Sequence, residues 1–144
     1  LGRIRLQVVP DCSGDVLEQS VITNVSPGST VVTDGWKGYN FLDESSYMHF
    51  QVVASHTAKK ESVLPGVHLI ASLVKRLILG TFQGRFDPKH LQSYLDEYVF
   101  RFNRRKSRNV GKKFMRIAQQ VTASTKATYK QIKVGASPFS LLAN

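Results

Sequence analysis

A chain of 144 residues, 42% hydrophobic and 21% charged, can bury a substantial core and is neither a disordered nor a membrane-spanning composition. No apolar run approaches the roughly 20 residues that cross a bilayer, and no charged-then-apolar signal segment opens the chain. The net charge of +10 is unevenly placed: residues 1–74 hold five Lys/Arg against seven Asp/Glu, a net −2, and residues 75–144 hold fifteen against three, a net +12. An acidic-leaning half joined to a basic half points to chemistry in the first and a grip on a polyanion in the second. The plainer alternative is a basic surface that serves only solubility. Cys12 is the one cysteine, which excludes an internal disulfide and a multi-cysteine zinc site. It reads as an inert thiol, with the cytoplasm as the default compartment.

In chain order, Arg3–Val9 alternates polar and apolar residues, with Ile4, Leu6 and Val8 on one face, and predicts a half-buried strand closed by Pro10. Asp15 can cap a helix with Glu18 as its reciprocal partner, and Leu17, Val21 and Ile22 supply the apolar face. Ser26-Pro27-Gly28-Ser29 is a turn, and Thr30–Thr33 a short buried strand with Asp34-Gly35 at its C-terminal end. A brief helical or irregular piece follows over Trp36–Leu42, then a strand over His49–Val53. Residues 54–65 read as a polar loop. Val67–Leu79, apolar on several faces, predicts a largely buried helix stopped by Gly80.

Asp87-Pro88 is a helix start, cap then first position, for a helix reaching about Arg105. Its apolar residues Leu91, Tyr94, Leu95, Tyr98 and Phe102 fall at helical spacing, and its end presents Arg101, Arg104, Arg105 and Lys106 together. A third helix follows a break at Gly111, with Phe114, Ile117, Ala118 and Val121 recurring, and the tail from Gly135 is loose. The chain opens on Leu1 with a strand-like pattern almost at once, which reads as the C-terminal part of something longer.

The wording HLQSYLDEYVFRFNRRKSR closely resembles a segment of bacterial insertion-sequence transposases of the ISXO type. VVTDGWKGY looks like that family's second catalytic aspartate with its Gly and aromatic neighbours. VHLIASLVK fits the His variety of its third catalytic position, a residue seven before a Lys. The resemblance covers essentially the whole chain. It implies an α/β, ribonuclease-H-like mixed sheet without its first two strands, followed by C-terminal basic helices. On it, residues 1–80 are a partial catalytic core, 81–134 a basic helical extension of the same domain, and 135–144 a loose tail.

The implied function is metal-dependent DNA cleavage and strand transfer, with Asp34, His68 and Lys75 as catalytic residues and Mg²⁺ or Mn²⁺ held through Asp34. Strand transfer uses two divalent ions about 3.5–4 Å apart, and hard ions want carboxylates. His68 offers a neutral nitrogen, softer than Mg²⁺ prefers, and would orient water or substrate; Lys75 would meet a phosphate as a point charge. No residue fits the family's first aspartate. Asp11 and Asp15 follow a later strand, so one carboxylate and one His make a poor two-ion site and this chain alone should not cut DNA. From the residues alone, Asp34-Gly35 is equally an ordinary turn, and His68, Ser72 and Lys75 a solvent-facing stripe. Glu97 is a rival third acid or a structural ion pair.

Arg101, Arg104, Arg105, Arg108, Lys112 and Lys113 are the candidate phosphate grip on double-stranded DNA, with Tyr98, Phe102 and Trp36 as packing residues. Homo-oligomerisation is open, a membrane partner is not expected, and the implied setting is the DNA-associated bacterial cytoplasm. A non-catalytic nucleic-acid-binding module and a different metal-dependent nuclease on the same fold are the alternatives.

Overall fold

The structure, a computed structural model, describes residues 1–53, 64–124 and 127–134. Most of the loop expected over 54–65 and all of the tail from Gly135 lie outside these residues. The chain forms two compact units, Val9–Gln83 and a second made of Leu1–Val8 with Gly84–Asn144.

In the first unit, helix α1 spans Gly14–Asn24. Its cap is Ser13 rather than the expected Asp15, because Asp11 accepts a hydrogen bond from the Ser13 amide at 2.8 Å and holds the entry turn. Hydrogen bonds from Ser13, side chain then backbone, keep the Asp11 carboxyl below its ordinary pKa. Asp15 falls inside the first turn, where a negative charge suits the helix dipole. The Ser26–Ser29 turn closes with a 3.2 Å bond from the Ser29 amide to the Ser26 carbonyl, and Gly28 supplies its positive φ of 79°.

Strands β1 (Thr30–Thr33) and β2 (Met48–Gln51) then pair in parallel, Thr30 opposite Met48 and Thr33 opposite Gln51. A parallel pair needs a crossover of about a dozen residues or more. Here it contains a 3₁₀ helix over Lys37–Glu44 that packs against α1 and β2 and carries Leu42, which is fully buried. The strand expected to be buried is only partly so: Thr33 is buried, while Val32 is exposed.

Helix α2 covers Pro65–Arg76, with Pro65 at its start, where its missing N–H costs nothing. It was expected to be largely buried. Ile70 is its buried residue, and Val67 and Leu69 are exposed. Nor does Gly80 stop it. The helix runs into a π-turn over Leu77–Thr81, and the stop falls at Gln83 and Gly84, with φ of 51° and 70°.

In the second unit, Asp87 caps a 3₁₀ turn over Pro88–His90 by accepting from the Lys89 amide at 3.2 Å, and helix α3 continues over Leu91–Asn103. Leu95 and Val99 are its buried centre; Tyr98 and Phe102 stack beside them with centroids 6.1 Å apart. Helix α4, Val110–Ala123, is capped by Asn109, whose side chain accepts from the Lys112 amide at 2.9 Å. Gly111 lies inside its first turn rather than before it. The apolar residues expected on α4 are there, but Phe114 at 68%, Ile117 and Val121 are exposed. A short helix α5 spans Tyr129–Val134.

The strand expected over Arg3–Val9 does not form, because among the described residues no neighbouring strand pairs with it. Buried backbone groups still need partners, and two amide side chains of α3 supply them. The Ile4 amide donates to Asn103 Oδ1 at 2.7 Å, and Asn103 Nδ2 donates back to the Ile4 carbonyl at 2.9 Å. One turn of pleat on, the Val8 amide donates to Gln92 Oε1 at 2.8 Å and Gln92 Nε2 to the Leu6 carbonyl at 3.1 Å. Ile4, Leu6 and Val8 share one edge, so Asn103 and Gln92 act as two rungs of a ladder. Arg105 extends the clasp by donating to the Leu1 carbonyl at 2.7 Å.

Asn103→Ala removes both bonds of one rung and leaves part-buried backbone groups unpaired. It is expected to cost about 1–3 kcal/mol in urea denaturation and to speed amide exchange at Ile4. An unchanged midpoint would mean that the segment is held by something else. A second expectation concerns acid. Hydrogen bonds from Lys89, side chain first and then backbone, hold the Asp87 carboxyl below its ordinary pKa. Its contribution to stability is therefore present above the ordinary value and lost as pH falls through the lowered one. Asp87→Asn keeps the cap acceptor without the titration, so helix content should persist while the loss of stability below about pH 4 becomes shallower, read by circular dichroism with urea at each pH.

Candidate functional site

Asp34 follows β1 directly and is exposed, its Oδ1 accepting from the Trp36 amide at 3.3 Å. Position and neighbours come from the strand end. Gly35 was expected to provide a tight turn, but it has no positive φ. A Cβ on it would meet Val53 Cγ2 at 2.8 Å, so the glycine is there for close approach. Trp36 lies against Gly38 and meets Tyr39 edge-on at 5.9 Å, the packing role expected of it. Burial, then the negative charges of Asp34 and Cys12, push the Tyr39 phenol up.

Beneath Asp34 lies a chain of polar contacts that sequence reading did not find. The Thr33 hydroxyl donates to the Asp34 carbonyl at 2.9 Å and lies 2.8 Å from His49 Nε2. His49 Nδ1 in turn sits 2.6 Å from Asp43 Oδ1. The His49 side chain is 2% exposed and Asp43 is open to water. The chain ties β1, β2 and the 3₁₀ helix together at the point where Asp34 leaves the sheet. Only the alternation of β2, which turns His49 and not Met48 or Phe50 inward, could have signalled it.

His68, Ser72 and Lys75 lie on α2 and are exposed. Ser72 Oγ donates to the Leu69 carbonyl of its own helix at 2.8 Å. Among the described residues no hydrogen bond or ion pair joins Asp34 to any of the three, and no group of three or more His, Cys, Asp or Glu could hold a metal ion. Glu97 pairs with Arg101 at 3.3 Å, a surface pair one helical turn apart, as the structural reading of it required.

The basic residues divide. Arg101 is taken by Glu97, and Arg105 by the carbonyls of Leu1 and Phe102, with its guanidinium 3.8 Å over the Phe102 ring. Arg108 is exposed in the loop before α4. Arg104, Lys112 and Lys113 instead line a cleft of about 320 Å³, together with Arg3, Asn103, Ser107 and Arg116. Arg3 and Arg116 were not named by the sequence reading. Arg3 sits in the acidic half, and Arg116 is one residue among an otherwise apolar repeat.

Residues 1–103 match the family described as the ISXO2-like transposase domain, and the chain belongs to that family. It is 33% identical over 97 residues to an uncharacterized transposase-like protein of Haemophilus influenzae, a span covering 67% of this chain and 77% of the relative. No solved structure matches it. Among the described residues no helix is long and apolar enough to cross a membrane.

Thr33→Val severs the contact chain beneath Asp34 and leaves the buried His49 nitrogen without a partner. It should lower stability by about 1–3 kcal/mol, and Thr33→Ser should recover most of it. Equal urea midpoints for Thr33→Val and the parent would show that the chain bears no weight.

Proposed function

We propose that this chain is the DNA-handling part of an insertion-sequence transposase, gripping double-stranded DNA through its basic half and contributing Asp34 to a strand-transfer site. Membership of the ISXO2-like transposase family carries the reading. The fold supports it. Two adjacent parallel strands with a carboxylate at the end of the first, followed by helices, suit the later part of a ribonuclease-H-like sheet, where ligands meet the C-terminal ends of strands. In this reading His68 orients water or substrate, and Lys75 meets a phosphate.

Divalent ions are implied by the family. Two-ion chemistry needs several carboxylates around one phosphate. Among the described residues Asp34 has no second carboxylate within a metal-holding group. The described residues do not make a two-ion site. The role that the described residues support is binding. Its fifteen Lys/Arg against three Asp/Glu after residue 74 supply the charge.

The experiment is fluorescence anisotropy of the 144-residue chain with an unrelated labelled duplex across a salt series, beside a nicking assay in Mg²⁺ and Mn²⁺. Binding should be present at low salt and fall as salt rises, by about 0.9 in log affinity per log salt for each phosphate neutralised. Asp34→Asn should bind as the parent does, and neither should nick the duplex. A folded sample that ignores duplex DNA, or binds it regardless of salt, would sink the proposal.

A further inference from the structure

We propose that the cleft lined by Arg3, Arg104, Lys112, Lys113 and Arg116 is a site for one phosphodiester group of the DNA backbone. The proposal rests on the DNA-binding reading and deepens it by naming where a phosphate sits. Four of the five cations lie beyond residue 103, where the family match ends, so the family match does not assign the site.

Several observations converge on an anion. The cleft brings together cations from three places, the amino-terminal segment, the end of α3 and the first half of α4, and no carboxylate lines it. Among the described residues none of the five takes part in an ion pair. Like charges gathered in a concavity repel, and an anion relieves them. Arg104 registers the crowding: burial first, then Arg116 and Arg3, lower its pKa.

Helix α4 adds an electrostatic argument. Its first turn holds no acid, and Lys112 and Lys113 sit at the end where the helix dipole disfavours cations. The arrangement is unfavourable without a negative group opposite it and favourable with one. Arg104 is also oriented beforehand. Its guanidinium lies 3.7 Å over the Phe100 ring, and one nitrogen donates to the Phe100 carbonyl at 3.3 Å. A planar fork held in place loses little freedom when it meets phosphate oxygens. The site is open and about 320 Å³, wide enough for a backbone phosphate to enter from solvent.

The test compares two charge-matched triple variants of the whole chain, both checked for helix content by circular dichroism. Lys112→Gln/Lys113→Gln/Arg116→Gln empties the cleft of three charges. Arg101→Gln/Arg108→Gln/Lys130→Gln removes three elsewhere. The first should weaken duplex binding about tenfold, the loss expected for charged hydrogen bonds. It should also reduce the salt slope by about 0.9 or more, one phosphate's worth. The second should change both distinctly less. Equal effects of the two triples, or no effect of the first, would overturn the cleft while leaving DNA binding in place. Should the first triple lose helix, Arg116→Glu alone takes its place against Arg108→Glu. Titration with inorganic phosphate, followed by side-chain resonances of the arginines, is the last arm. Shifts there in a protein that ignores duplex DNA would make this a free-phosphate site and overturn the DNA source, together with the reading it rests on.

Discussion

Backbone groups of an extended segment must be paired whether or not a neighbouring strand exists, and much of the second unit follows from how this chain meets that demand. Asn103 and Gln92 present their amides three helical turns apart on α3, a donor and an acceptor each. A carboxamide copies the peptide group, so Ile4, Leu6 and Val8 find the geometry of a ladder on the side of a helix. The same docking carries Arg3 to the cleft and places the Leu1 carbonyl against Arg105. Two neutral amides thus decide which arginines remain available for other work.

In the first unit the organising contact is smaller. Parallel pairing of β1 and β2 sets Thr33 near the end of one strand and His49 inside the other. Asp43 arrives from the crossover to complete the line. Asp34 therefore leaves the sheet from a fixed backbone even though its side chain is in solvent.

Periodicity revealed α1 to α4 because each has an apolar row; the short α5 was not foreseen. The start of α3 was legible at Asp87-Pro88, where the chemistry of capping is local. Both strands of the sheet and the turn at Gly28 were legible for the same reason. What could not be read was anything set by partners distant in sequence. The alternation of Arg3–Val9 is real, but alternation shows which residues share an edge and not what lies along it. Gly35 carried a right emphasis and a wrong cause, since only the approach of Val53 explains it. Among the basic residues, a charge run could not separate Arg105, spent on carbonyls, from Arg104, held in a cleft. Asp34 was singled out as a candidate by resemblance and strand position. Its support from His49 was not, because a lone histidine in a strand announces nothing.

The rungs that hold the amino-terminal segment join residues 84 to 104 positions apart. Closing a flexible loop of that length costs about 4 kcal/mol in chain entropy before any contact repays it. During vectorial synthesis, Leu1–Val8 leaves the ribosome well before α3 and gains these bonds only once α3 has emerged. The first unit, whose contacts close within itself, has no such wait. Between these two units the order of assembly is therefore inverted with respect to the order of translation: Leu1–Val8 is made before the first unit and secured after it.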